Sequence, residues 1–176
     1  MAIEDVTRRL EAITGALDRA LVPYAIVGGQ AVAIWVATAD PEAVRTTKDV
    51  DLLLARSDLS RARDAARTVQ MDYFETMGVG MLLDRANPNP RSAVHLVWSG
   101  ELVRPGEPAP APTIVEQVLI DDRWRVISLP GLVTMKLTAW RDQDRVHLRD
   151  LIGVGLIDER LVLDLAPELV ARWRAL

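Results

Sequence analysis

The 176-residue chain contains no cysteine. That excludes a disulfide framework and a thiolate metal site. It also has no uninterrupted apolar stretch long enough to span a bilayer. The N-terminus opens as a charged amphipathic helix and not as a secretory signal. A cytoplasmic protein with no membrane partner is therefore expected. Positive charge is not in excess: the formal net charge is −4, which argues against a broad electrostatic footprint for nucleic acid. Arg61, Arg63 and Arg67 would give a local basic patch, but read first as a solvated helix face. Internal repeats are absent. So are the Gly-Lys-Ser/Thr of a P-loop and the Gly-x-Gly-x-x-Gly dinucleotide fingerprint.

What the chain does have is a pair of aspartates, Asp49 and Asp51, inside Arg45-Thr-Thr-Lys-Asp-Val-Asp-Leu-Leu-Leu54. Val50 and the run Leu52–Leu54 predict a buried strand, where Asp is depleted. Residues two apart on a strand share a face. Two carboxylates held together on an apolar strand repel, and a hard divalent cation such as Mg2+ relieves that repulsion. The competing reading has Arg45 and Lys48 neutralise the pair, or the pair at a solvated strand end.

Upstream, Pro23-Tyr-Ala-Ile-Val-Gly-Gly-Gln-Ala-Val-Ala-Ile-Trp-Val36 predicts a strand over Tyr24–Val27, a turn at Gly28-Gly29 and a buried helix. A glycine turn at a helix start exposes backbone N–H groups where the helix dipole is positive, the outline of a phosphate site. A phosphate cradle and a carboxylate pair belong together in metal-assisted phosphoryl and nucleotidyl transfer.

Hydrophobic residues make up 49% of the chain, enough for a proper core. The length suits one domain over residues 1–176, with a core at about 22–128 and a helical C-terminal part at about 130–176. Ile3, Val6, Leu10, Ile13 and Leu17 mark an N-terminal helix. Ser57 predicts the N-cap of a helix reaching about Val69. Met71–Asp84 predicts one or two strands around Gly78 and Gly80, and Asn87-Pro-Asn-Pro90 a turn. Ser92–Trp98 predicts a strand carrying His95. Glu101–Pro112 reads as irregular, and Val118–Ile120 with Trp124–Ile127 as a hairpin. Pro130 opens a helix bearing Lys136, and the rest is helical, broken near Pro167. Trp173 is expected to pack on the core or a partner chain. The order predicts a mixed α/β (α+β) fold: a mixed sheet flanked by helices.

Gly28-Gly29 followed by Asp49-Val-Asp51 resembles the nucleotidyltransferase superfamily pattern of a glycine turn, a helix and a strand carrying Asp-x-Asp. The longer stretch from Arg45 resembles the AbiEii-type branch, which includes toxin components of toxin–antitoxin systems. So does Leu132-Val-Thr-Met-Lys-Leu-Thr-Ala-Trp-Arg-Asp-Gln-Asp-Arg-Val-His-Leu-Arg-Asp-Leu151. The matches span roughly residues 24–157. The resemblance implies Mg2+ or Mn2+ at Asp49 and Asp51, with an NTP as substrate. It implies phosphate contact at Gly28 and Gly29. Gln30 stands where better-known members have serine, and Lys48 is a further candidate on the nucleotide side. Lys136 matches a lysine that contacts the nucleotide or leaving phosphates. Asp144 and Asp150 both remain candidates for a later acidic position.

Lys136 sits on an apolar helical stripe with Leu132, Val133, Ala139 and Trp140, so it either snorkels to water or enters a cleft. A hydrogen bond between His147 and Asp150, one turn apart, is geometrically easy. Where the superfamily places a third carboxylate, this chain has His95. Its imidazole is suited to general-base work or to a softer divalent metal; a core histidine is the alternative. The polar segment from Thr38 to Arg45 reads first as a surface connection and otherwise as a lid. The reading is thus a metal-dependent transfer of an NMP to an RNA, protein or small-molecule acceptor. A toxin-like role acting on tRNA or protein, with a cognate antitoxin, follows from the branch. The rival is a nucleotide-binding or protein-interaction module without chemistry.

Overall fold

The computed structural model describes residues 3–176, with side chains from Asp5 onward; the Ile3 side chain of the expected helical stripe lies outside them. In chain order the elements are α1 (Ile3–Arg19), β1 (Ala25–Val27), α2 (Gly28–Ala39), β2 (Val50–Leu54), α3 (Leu59–Thr68), β3 (Met71–Thr76) and β4 (Val79–Asp84). There follow β5 (Val94–Trp98), β6 (Gln117–Ile120), β7 (Trp124–Ile127), α4 (Leu129–Ala139), α5 (Asp142–Gly153) and α6 (Pro167–Arg174). The strands form one sheet in the order β3-β4-β5-β2-β1-β7-β6. At its centre β2 runs antiparallel to β1 and parallel to β5. β1 runs parallel to β7, and antiparallel hairpins β3–β4 and β6–β7 finish the two ends. This is the mixed α/β fold that the element order predicts.

The apolar run of β2 has a direct cause. Val50, Leu52, Leu53 and Leu54 are all buried, so both faces of the strand are covered. A strand covered on both faces loses the polar alternation of a half-exposed one. Asp51 alone breaks the run. On α1, Val6, Leu10, Ile13 and Leu17 form the buried stripe, each contributing roughly 1.5–3 kcal/mol of burial. α4 begins where Ser128 accepts a hydrogen bond from the Gly131 N–H, with Pro130 in the first turn. Trp173 of α6 is partly buried against the core.

Several boundaries differ from the sequence reading. Asp49 lies one position ahead of β2, outside the hydrogen-bonded strand, and is exposed. Ser57 does not cap α3: a short 3-10 turn, Arg56–Asp58, comes first and leaves Asp58 at the cap. Pro167 opens α6 instead of breaking a helix, since its missing N–H costs nothing in the first turn. The basic side chains of α3 have partners: Arg61 pairs with Asp58, Arg67 pairs with Asp64, and Arg63 lies over the Tyr73 ring.

Candidate active site

β1 passes into α2 without a loop. Val27 is the last strand residue and Gly28, at φ +68°, the first helical one. Side chains rarely adopt this left-handed backbone, and the space is taken as well. A Cβ on Gly28 would stand 2.1 Å from Asp51 Oδ2, and one on Gly29 2.6 Å from Thr47 Oγ1. The two glycines thus let Asp51 and Thr47 lie against the start of α2. No side chain caps that helix terminus, and its first turn carries no acid.

Gly28→Ala therefore meets two obstacles, the positive φ and the Asp51 carboxylate. On the reading that Asp51 ligates a cation for an NTP, displacing its carboxylate should weaken that binding on the order of 10- to 100-fold, the scale of disturbing a ligand's support. Isothermal titration with Mg2+ reads this directly; an alanine variant that binds as well as wild type would show that Asp51 need not sit there.

Asp51 and His95 are cross-strand partners on β2 and β5, with His95 Nδ1 3.7 Å from Asp51 Oδ1. That is too long for a hydrogen bond, so the imidazole is a neighbour and not a tether. Both side chains are about one-third exposed or less, at 32% and 27%. Burial lifts the Asp51 carboxyl above the usual carboxylate range; Asp49 adds to the lift, while His95, Lys136 and Arg141 oppose it.

The cationic half comes from α4 and α5. Lys136 does not snorkel to water: it is buried, with Nζ 3.0 Å from Asp144 Oδ1. Trp140, in the left-handed conformation, ends α4 and turns the chain into α5. Arg141 follows, its Nε 2.7 Å from Asp144 Oδ2 and its backbone N–H 3.2 Å from the same oxygen. Burial would raise the Asp144 carboxyl, but hydrogen bonds from Arg141 and the charge of Lys136 hold it below the usual range. Burial pulls the Lys136 amine down and the neighbouring Arg141 adds to this, while Asp144 and, less, Asp51 oppose it.

Asp150 takes a different partner. It pairs with Arg45 at 2.8 Å, which also removes Arg45 as a neutraliser of the aspartate pair. The hydrogen bond expected between His147 and Asp150 is not formed: His147 Nδ1 is buried without a partner. Burial, with Lys136 nearby, pushes that imidazole down to about 4. Gln30 Nε2 reaches towards the Thr47 carbonyl at 3.5 Å, at the limit of a hydrogen bond. Lys48 is exposed beside Asp49.

The structure brings Gly28, Asp51, His95, Lys136, Asp144 and Arg141 into one neighbourhood. Arg141 and Thr47 escaped the sequence reading. The three-residue spacing of Arg141 from Asp144 was the available signal for the first; nothing local marked the second. Asp49 and Asp51 fit a hard cation. Mg2+ is typically bound by one or two carboxylates and completed by water and substrate phosphates. Among the described residues no group of three His, Asp or Glu gathers into an all-protein metal cage.

No protein-family model matches the chain, and no curated protein matches its sequence. Solved structures do share its fold. The solution structure of the antibiotic-resistance factor ANT(2'')-Ia aligns with a TM-score of 0.60 at 15% identity, covering 97% of this chain and 93% of that one. The crystal structure of ANT(2'')-Ia with adenylyl-2''-tobramycin aligns at 0.59 and 16%, covering 97% of each. An antigenic nucleotidyltransferase-like protein from Paracoccidioides brasiliensis aligns at 0.60 and 16%, covering 98% of this chain and 87% of that one. The fold is nucleotidyltransferase-like.

Proposed function

We propose that the protein is a metal-dependent nucleotidyltransferase, moving an NMP from an NTP to an acceptor and releasing pyrophosphate. The observation that carries this reading is the placement of Asp51. Its carboxylate lies against the glycine start of a helix, beside Asp49 and His95, within the field of Lys136 and Arg141. That placement supports carboxylates for a cation, backbone N–H groups for phosphate and cations for developing charge acting together.

Asp49 and Asp51 would hold Mg2+ or Mn2+, which when bound neutralises triphosphate charge and activates the α-phosphorus. The N–H groups at Gly28 and Gly29, with Lys48 at the rim, receive the outer phosphates. Lys136 and Arg141 balance charge on the departing pyrophosphate. His95 takes the proton of the acceptor hydroxyl as its oxygen bonds to the α-phosphorus and the α–β bridging P–O bond breaks. Asp144 acts through its two cations and is a positioning residue.

His95→Ala should lower turnover about 10²- to 10⁴-fold while leaving NTP affinity nearly intact. Pyrophosphate release and titration together read this split. Unchanged turnover removes His95 from the mechanism.

The AbiEii-type resemblance supports tRNA or protein as the acceptor, a toxin-like role with a cognate antitoxin, and action in the cytoplasm as one domain. A small-molecule acceptor is the variant suggested by the tobramycin adduct of ANT(2'')-Ia. Labelled NTP incubated with bulk tRNA, protein extract and amine-rich small molecules separates these. The imidazole standing where the superfamily has a carboxylate favours a second reading, NTP binding without turnover. Binding that never yields labelled product or pyrophosphate would support that reading.

A further inference from the structure

Residues 44–49, between α2 and β2, belong to no helix or strand, yet they carry Thr47, Lys48 and Asp49. Among the described residues, side-chain hydrogen bonds to this segment come from two places. Gln30 reaches the Thr47 carbonyl only at 3.5 Å. Arg45 Nε donates to Asp150 Oδ2 at 2.8 Å, across 105 positions of sequence. The pair is asymmetric: the Asp150 side chain is 15% exposed and the Arg45 side chain 65%. Asp150 is thus a fixed post on α5, and Arg45 the arm of an otherwise irregular segment.

We propose that Asp150 is a positioning residue, its ion pair with Arg45 latching the α2–β2 segment to α5 and so setting Asp49 and Lys48 beside Asp51. The inference rests on reading Asp49 and Asp51 as the cation-binding pair. It gives α5 two tasks. Asp144, in its first turn, sets the cationic half of the site through Lys136 and Arg141. Asp150, towards its other end, sets the acidic half through Arg45. Asp150 then touches no substrate, and the later acidic position of the resemblance is filled by a strut.

The test uses the full chain with Asp150→Asn, Arg45→Gln and the exchange Arg45→Asp/Asp150→Arg. Mn2+ with inorganic tripolyphosphate, followed by electron paramagnetic resonance of the bound ion, is a probe that needs neither a base nor an acceptor. Each single variant should weaken its binding about three- to fivefold, the scale of a partly exposed ion pair. Hydrogen exchange over residues 42–49 should quicken, that of α4 and α5 should not, and the melting temperature should stay within a degree or two of wild type. The exchanged pair should recover most of the affinity. Wild-type affinity and exchange in both single variants overturns the latch, and an exchanged pair no better than the singles overturns the ion pair as its cause. If wild type itself binds no Mn2+–tripolyphosphate, the nucleotidyltransferase reading fails. The exchange rates then judge the latch alone: unchanged rates in Asp150→Asn overturn it.

Discussion

Asp51→Asn is expected to lose metal-dependent NTP binding and to melt at a higher temperature than wild type. The two effects share a cause. Burial and the neighbouring Asp49 hold the Asp51 carboxyl above the usual range, so its ionised form is less at ease in the fold than in water. A carboxyl raised in this way favours the folded state when protonated and costs stability once pH rises through its folded value. At neutral pH that cost is present, and a neutral amide of the same shape removes it. For a chain of this size each kcal/mol relieved raises the melting temperature by about 2–4 °C. A rise in the metal-free protein is the expected direction. Loss of a ligating oxygen should weaken binding by more than about 100-fold, since even residues behind a metal ligand cost 10–100-fold. Thermal melts and titrations with Mg2+ and Mn2+ read both. Full binding by the variant would defeat the site assignment. A lowered melting temperature would mean that Lys136 and Arg141 already compensate the charge.

Asp144→Asn should act in the opposite sense, unfolding the protein more readily by about 3–5 kcal/mol, because it strands a buried lysine. Lys136 is 4% exposed and Asp144 1%, so water cannot take over the lost partner. Arg141 is freer, with 59% of its side chain exposed, and can turn outward. The expected fall in melting temperature is about 10 °C. Lys136→Met/Asp144→Leu should recover much of that loss, since a well-packed apolar pair commonly equals or exceeds a buried ion pair in stability. The same double variant should not regain NTP affinity. Chemical denaturation of the two variants and wild type checks this. An Asp144→Asn protein as stable as wild type would show that Lys136 finds another acceptor.

Of the candidate site, the acidic half was more legible in the sequence than the cationic half. Asp51 was visible because a carboxylate in an apolar strand is costly, and Gly28 because a strand met a helix without a polar loop. The facing of Asp51 by His95 needed the β2–β5 register, which no local pattern encodes. Periodicity placed Lys136 on an apolar stripe, but did not tell a buried lysine from a snorkelling one. What decides it is Asp144, and that carboxylate arrives only because Trp140 takes a left-handed turn that a tryptophan does not announce. The competing reading, in which Arg45 neutralises its near neighbours, gives way to a pairing across 105 positions of sequence. Ser57 had cap chemistry at a helix start, yet a 3-10 turn moved the start past it.

The parallel pairing of β1 with β7 bears on how the chain is made. β1 carries the residues leading into the glycine start, and one of its edges is covered by Val126, paired with Ile26. Trp35 of α2 likewise donates its indole N–H to the Ile127 carbonyl, 92 positions downstream. Val126 lies far downstream of Ile26 in the sequence, so during synthesis β1 waits with that strand edge open. It cannot close until the β6–β7 hairpin has left the ribosome. Such long-range pairing slows folding and leaves a strand edge open to other chains. The strand beneath the glycine start is thus made well before the partner that seals one of its edges.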